Sequence, residues 1–172
     1  HKACTATADF RIAPKSIAKE DFALSTTEFT YNGEVQKPAV SSSALKDGDY
    51  KVAAPESTDA GDYTLTVTGQ GNYTGSVEYS YTIRKAEGSG SVRMANYAYG
   101  EAAPAPVAES ATNGIDQVSY TYAGRDGTTY AESATAPTKV GSYTVTARFA
   151  ATANATECTA TADFSITAKG LV

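Results

Sequence analysis

The chain has 172 residues, a formal net charge of −5 and 41% hydrophobic residues, enough for one large domain or two small ones. Its 14 Lys and Arg residues are spread along the chain, with Arg84 and Lys85 the one adjacent pair, which argues against nucleic-acid binding. No apolar run approaches the roughly 20 residues of a membrane span. The single histidine, His1, excludes catalytic triads and metal sites built from several histidines.

The first segment of the chain recurs near its end. Residues 3–13 read ACTATADFRIA and residues 157–167 read ECTATADFSIT, so eight of eleven positions are identical. The offset is constant at 154 residues, and a fixed internal period indicates a repeat architecture. We therefore expect residues 1–14 to contain the closing strand of a preceding repeat.

The period itself contains two diverged copies of one domain, which we place at residues 15–86 and 87–172. The clearest shared motif is AGDYTLTV at Ala60–Val67 in the first copy and VGSYTVTA at Val140–Ala147 in the second. Between the copies lies the Gly- and Ser-containing segment Lys85–Gly90, whose composition is typical of an interdomain linker.

The two copies differ in length between their landmark tyrosines. Tyr31 and its counterpart Tyr99 are 68 residues apart, whereas Tyr63 and its counterpart Tyr143 are 80 apart. The second copy therefore carries 12 extra residues, which we expect to form an inserted hairpin near residues 115–130.

Apolar and polar residues alternate with period 2 in most segments between turns, as in Tyr63–Thr68 and Tyr143–Phe149. This alternation places one face of a strand on a core and the other in water. The predicted fold is all-β, with two tandem immunoglobulin-like antiparallel β-sandwich domains. A β-grasp-like repeat is the alternative, and Ser16–Phe22 is the one candidate for the helix that it requires. The predicted core residues are Leu65, Val67 and Ile83 in the first domain and Val145, Ala147 and Ile166 in the second.

The first copy resembles the bacterial immunoglobulin-like repeats of cell-surface proteins, through Phe29–Gly33, Gly69–Gly75 and Tyr81–Ile83. The second copy is similar to the MBG-type repeats that often alternate with them, through Tyr97–Glu101 and Lys139–Tyr143. The resemblance implies a tandem array that is extracellular, attached to the cell envelope, and in contact with neighbouring repeats of the same chain.

Chemically versatile groups are sparse, and we expect no catalytic residue, metal or cofactor. The acidic loop Asp47–Asp62 is the one candidate for a Ca²⁺ site or for a glycosidase carboxylate pair, and a solvated loop is the favoured interpretation. Cys4 and Cys158 lie one full period apart, so we expect no disulfide between them.

Three tyrosines of the expected insertion, Tyr120, Tyr122 and Tyr130, are the candidate partner-binding residues. A second candidate contact is the N-terminal strand, because the alternation of residues 3–12 predicts edge pairing within the chain or between chains.

These observations favour a non-catalytic stalk or spacer of an adhesin. The alternative is a module that binds a host glycan or surface protein, and a carboxylate-based glycoside hydrolase is a remote third. We expect neither nucleic-acid binding nor membrane insertion.

Overall fold

A computed structural model describes residues 3–170, and strands are its main regular structure. The only helix in this described part is a three-residue 3-10 turn at Lys19–Asp21, far short of a β-grasp helix. The all-β expectation is confirmed. The strands are β1 (Lys15–Ser16), β2 (Ala23–Leu24), β3 (Glu28–Thr30), β4 (Val40–Ser41), β5 (Tyr50–Ala53), β6 (Gly61–Gly69), β7 (Tyr73–Thr74), β8 (Ser76–Arg84), β9 (Ser91–Arg93), β10 (Tyr97–Ala98), β11 (Val107–Glu109), β12 (Val118–Arg125), β13 (Gly141–Phe149) and β14 (Cys158–Thr167).

The chain folds into two compact units. Unit 1 takes the chain up to Phe29 together with Gly33–Ile83, and unit 2 takes Thr30–Asn32 together with the chain from Arg84 onward.

In unit 1 a four-stranded sheet has the order β3-β8-β6-β5, and the small pairs β1-β7 and β2-β4 accompany it. The chain enters through β1, which pairs with β7 close to Gly69, at one end of β6. It leaves after Ile83, which pairs with Gly61 at the opposite end of β6. Unit 1 is therefore traversed from one end of its main sheet to the other.

Unit 2 repeats this topology with the order β10-β14-β13-β12, and the pair β9-β11 lies against β13 and β14. The chain enters at Ala86, which bridges to Ala155 just before Cys158, the partner of Phe149. It leaves after Ile166, which pairs with Gly141 at the other end of β13. Unit 2 is also traversed end to end.

The sheets are mixed, which corrects the expectation of purely antiparallel pairing. β10 runs parallel to β14, and β1 runs parallel to β7. β3 and β8 are parallel too, since the bonds from Thr82 N to Thr27 O and from Tyr31 N to Arg84 O advance in one direction along both strands. Parallel neighbours need a long crossover between them, and the intervening strands of each unit supply it.

The predicted core is confirmed. Leu65, Val67, Val145 and Ala147 are fully buried, and Ile83 and Ile166 are 1% and 2% exposed. In unit 2 the core is completed by aromatic rings: Phe164 packs between Tyr97 and Tyr143, with centroid distances of 6.1 and 5.6 Å, and meets Tyr122 edge-on.

The sheet register shows where the extra residues of unit 2 lie. Val52 pairs with Val67 in unit 1, and Tyr120 pairs with Ala147 at the same sheet position in unit 2. The chain needs 11 residues to pass from Val52 to Tyr63 but 23 to pass from Tyr120 to Tyr143. All 12 extra residues therefore follow Tyr120. The predicted insertion near residues 115–130 began too early in the chain, because the residues of β12 up to Tyr120 correspond to residues of β5 in unit 1.

The N-terminal segment does not pair within the chain. Each of residues 3–14 is exposed and none belongs to a strand, with Phe10 at 87% and Ile12 at 83% exposure. The expectation of edge pairing inside the molecule is wrong. The segment matches β14 in sequence, and the position between β13 and β10 is already occupied by β14 itself. Cys4 is exposed, Cys158 is half-buried, and both are free thiols.

Candidate functional site

The three candidate tyrosines lie on or beside β12. Tyr122 is only 6% exposed and packs on Phe164, so its proposed partner-binding role is corrected to a core role. Tyr120 is half-buried against the same core, and Tyr130 packs edge-on against Tyr143 at 5.8 Å. Tyr120 and Tyr122 are two residues apart on β12, so both side chains lie on the inward face of the sheet.

A tight turn reverses the chain after β12. Asp126 and Gly127 have φ values of +50° and +82°, the left-handed pair that a type I′ hairpin turn requires. The return segment is bonded to β12 by Gly124 N to Tyr130 O at 2.9 Å and by Tyr122 N to Ser133 O at 2.8 Å. A Cβ on Gly124 would lie 2.1 Å from Thr128 O, so glycine is required for this close approach.

The turn and the following loop enclose an open cleft of about 470 Å³. This volume lies within the range of small-ligand sites. The part of the cleft at Gly127–Tyr130 belongs to the expansion and has no counterpart in unit 1, whereas Val140 and Tyr143 correspond to Ala60 and Tyr63. The lining of the whole cleft is Gly127, Thr128, Thr129, Tyr130, Thr138, Lys139, Val140 and Tyr143.

Three polar groups in the cleft are unengaged within the described part of the chain: the hydroxyls of Thr129 and Thr138 and the ammonium group of Lys139. The tyrosine hydroxyls are already engaged, because Tyr130 donates to Thr135 O at 2.8 Å and Tyr143 donates to Lys139 O at 2.7 Å. The arrangement offers a cation, two hydroxyls and an apolar surface to a polar ligand.

The positive charge of Lys139 is the one unneutralised charge of this lining. The nearby guanidinium of Arg125 is held by Asp126 at 2.8 Å and by Asp163 at 2.5 Å. Burial raises the pKa of the Tyr143 hydroxyl, and the neighbouring Tyr130 raises it further. Tyr143 is therefore neutral at physiological pH, and the ammonium group of Lys139 leaves the cleft with a net positive charge.

The opposite end of unit 2 anchors the predicted linker. Asn113 Nδ2 donates to Ala150 O at 2.9 Å and to Thr156 O at 2.7 Å, which ties two loops together. Ala86 exchanges backbone bonds with Asn154 and Thr156, each at 2.9 Å.

The glycines of this linker are packing positions and not sources of flexibility. A Cβ on Gly88 would lie 2.2 Å from Thr156 O, and a Cβ on Gly90 would lie 2.5 Å from the Phe149 ring. The small residues of Lys85–Gly90 therefore allow this segment to lie against unit 2.

Each unit contains the same tyrosine hydrogen bond at the start of its third sheet strand. Tyr63 OH donates to Asp59 O and Tyr143 OH donates to Lys139 O, both at 2.7 Å and both four residues upstream. A tyrosine hydroxyl bonded back to the upstream backbone at this corner is typical of immunoglobulin-like sandwiches. Glycine two residues before each tyrosine leaves room for the returning ring.

The acidic loop of unit 1 disperses its carboxylates among separate local bonds. Asp49 accepts from Lys46 N at 3.0 Å, Asp62 accepts from the Thr82 hydroxyl at 2.6 Å, and Glu56 pairs with Lys37 at 3.5 Å. Within residues 3–170 no group of three or more His, Cys, Asp or Glu side chains is placed to hold a metal.

Sequence reasoning overlooked Asn113 and Lys139. Asn113 was not singled out, and Lys139 was cited only as the first residue of the Lys139–Tyr143 motif. The 12-residue length difference pointed to the right region but not to the charge inside it.

The chain matches no protein-family profile and no curated protein. None of its described helices is long and apolar enough to span a membrane.

Proposed function

We propose that this chain is a non-catalytic, extracellular repeat module that serves as a stalk or spacer in an envelope-attached bacterial surface protein. The observation that carries the proposal is the end-to-end path of the chain. In unit 1 it runs from the Lys15–Tyr73 pair to Ile83, and in unit 2 from Ala86 to Ile166. A module with its two connections at opposite ends lengthens an array with each copy.

The pairing of the terminal sheet strands supports a mechanical role. In each unit the first strand of the main sheet lies parallel to the last, as Tyr97 pairs with Ile166 and Ala98 with Thr167 in unit 2. Tension between the two ends of a unit acts along these strands in opposite directions. Their hydrogen bonds then resist together in shear, and no bond is opened before its neighbours.

Two further features favour the immunoglobulin-like, extended-array interpretation. The tyrosine corner occurs in both units, at Tyr63 and Tyr143. The segment that leads into unit 2 is bonded to it through Ala86 and Gly88, so little free chain precedes the unit.

A surface-display experiment tests the spacer function. An epitope is placed above zero, one, two or three copies of the chain on a bacterial cell, and its height is measured by super-resolution microscopy. We expect the height to rise in proportion to copy number. Gly/Ser linkers of equal residue count are the matched control, since a flexible chain extends only as the square root of its length. Square-root scaling of the repeats would contradict the proposal.

The cleft of unit 2 favours a second candidate function, binding of a host glycan or surface protein. Lys139, Thr129 and Thr138 offer unengaged polar groups beside the exposed side chain of Val140. Glycan arrays and mucin pull-downs would compare the intact chain with Lys139→Ala and with the distant control Lys51→Ala. Binding that only the first substitution removes would establish this function, and absence of binding by the intact chain would leave the spacer alone.

A further inference from the structure

The N-terminal segment, residues 3–13, matches β14 of unit 2 in sequence. β14 is a central strand, antiparallel to β13 along its whole length and parallel to β10. Its inward residues close the core of unit 2, where Phe164 and Ile166 are 3% and 2% exposed. A segment that replaced β14 would have to reproduce those inward residues.

Residues 3–13 reproduce all of them. The five inward residues of β14 and the corresponding residues of the segment are identical: Cys158 and Cys4, Ala160 and Ala6, Ala162 and Ala8, Phe164 and Phe10, and Ile166 and Ile12. The three differences fall on an end or on the outward face, as with Arg11 in place of Ser165. Asp9 also preserves Asp163, which accepts from Thr144 and pairs with Arg125.

Among the described residues of its own chain, this segment has no pairing partner. Phe10 and Ile12 are almost fully exposed, and the β14 position of unit 2 is already occupied. Unpaired backbone and an exposed apolar face together make a segment a template for strand addition.

We infer that residues 3–13 replace β14 of unit 2 in a second copy of this chain by strand exchange, which displaces that copy's own Cys158–Thr167. The exchanged segment lies between β13 and β10, and Phe10 takes the place of Phe164 among the rings of Tyr97, Tyr122 and Tyr143. This inference rests on the repeat and on β14, and it holds whether or not the chain is a spacer.

A nicked full-length chain gives the test. A protease site inserted after Ala151, in the exposed loop before β14, lets the folded protein be cleaved while it keeps residues 152–172 noncovalently. The nicked protein is unfolded in urea and refolded with a labelled peptide of residues 3–13. Native mass spectrometry then measures the fraction of protein that carries the peptide.

We expect the peptide to replace the native fragment, with an affinity within about tenfold, or about 1.4 kcal/mol, of that of a peptide of residues 157–167. The control peptide with Phe10→Asp and Ile12→Asp should be absent from the refolded protein. Refolded protein without the 3–13 peptide, with or without its native fragment, overturns the inference. Equal uptake of the control peptide overturns it as well.

Discussion

Removing the hydroxyl of Tyr143 should destabilise unit 2, whereas removing the hydroxyl of Tyr81 should not destabilise unit 1. Both side chains are 1% exposed, so Tyr→Phe makes the same chemical change at the same burial. They differ in one respect. Tyr143 OH donates to Lys139 O at 2.7 Å, while Tyr81 OH is buried with no hydrogen-bond partner among the described residues.

The magnitudes follow from that difference. Tyr143→Phe removes a hydrogen bond worth about 1 to 1.5 kcal/mol and leaves the Lys139 carbonyl without its donor. For a unit of this size, each kcal/mol lowers the melting temperature by about 4–8 °C. Tyr81→Phe removes an unsatisfied buried polar group, so the free energy of unfolding should stay the same or rise by up to about 1 kcal/mol. Unit 2 already has Phe164 at the position equivalent to Tyr81, facing Tyr143 as Tyr81 faces Tyr63.

Urea unfolding followed by residue-resolved NMR gives each unit its own curve, with the amides of Val145 and Leu65 as reporters. The expected result is a lower midpoint for Val145 in Tyr143→Phe and an unchanged or higher midpoint for Leu65 in Tyr81→Phe. Equal destabilisation by the two substitutions would refute the reasoning, because it would mean that the ring environment and not the hydrogen bond sets the cost.

Three further predictions concern pH, the linker and the loop anchor. Burial raises the pKa of Tyr81, Tyr97, Tyr122 and Tyr143 above its ordinary value of about 10, so these tyrosines ionise first in the unfolded chain. Their contribution to the free energy of unfolding should therefore be constant below about pH 10 and fall above it. A pH series of urea midpoints that stays flat through about pH 11 would contradict this. Gly90→Ala should lower the free energy of unfolding by about 1–3 kcal/mol in calorimetry, because the added methyl group overlaps the Phe149 ring, and Gly170→Ala is the neutral control. If the segment were flexible, Gly90→Ala would instead raise the free energy of unfolding by about 0.4–1 kcal/mol. Asn113→Ala should cost about 2 kcal/mol by removing two hydrogen bonds and should speed hydrogen exchange at the Thr156 amide, and unchanged exchange there would count against the anchor.

Alternation and turn chemistry made the fold predictable from the sequence. The pattern in Tyr63–Thr68 and Tyr143–Phe149 correctly identified the buried residues, because a period of 2 has only one inward set. The parallel pairing of β10 with β14 was not predictable, since β10 has two residues and its direction is fixed only by the register of Tyr97 with Ile166.

The candidate site was predicted in its region and missed in its chemistry. The length difference between the two copies identified the expansion, but the tyrosines that stood out in it belong to the core or its edge, as Tyr122 shows. The cleft depends on where Lys139 lies relative to Thr129, which only the folded return of the chain determines. Composition did not reveal the close packing of Gly88 and Gly90, because glycine in a linker and glycine under a packed ring look alike in sequence.

Single-molecule force spectroscopy measures whether each unit is a folded spacer that is stretched end to end. Stretched through its two ends, the chain should unfold in two steps, with contour gains of about 220 and 270 Å for the strand-containing segments 15–83 and 84–167, which have 69 and 84 residues. The matched control attaches the handles at positions 117 and 150, at the open end of the β12–β13 hairpin, where the strands separate one pair at a time. We expect a higher unfolding force for the axial pull than for this control. A single unfolding step, or an axial force no higher than that of the control, would contradict it.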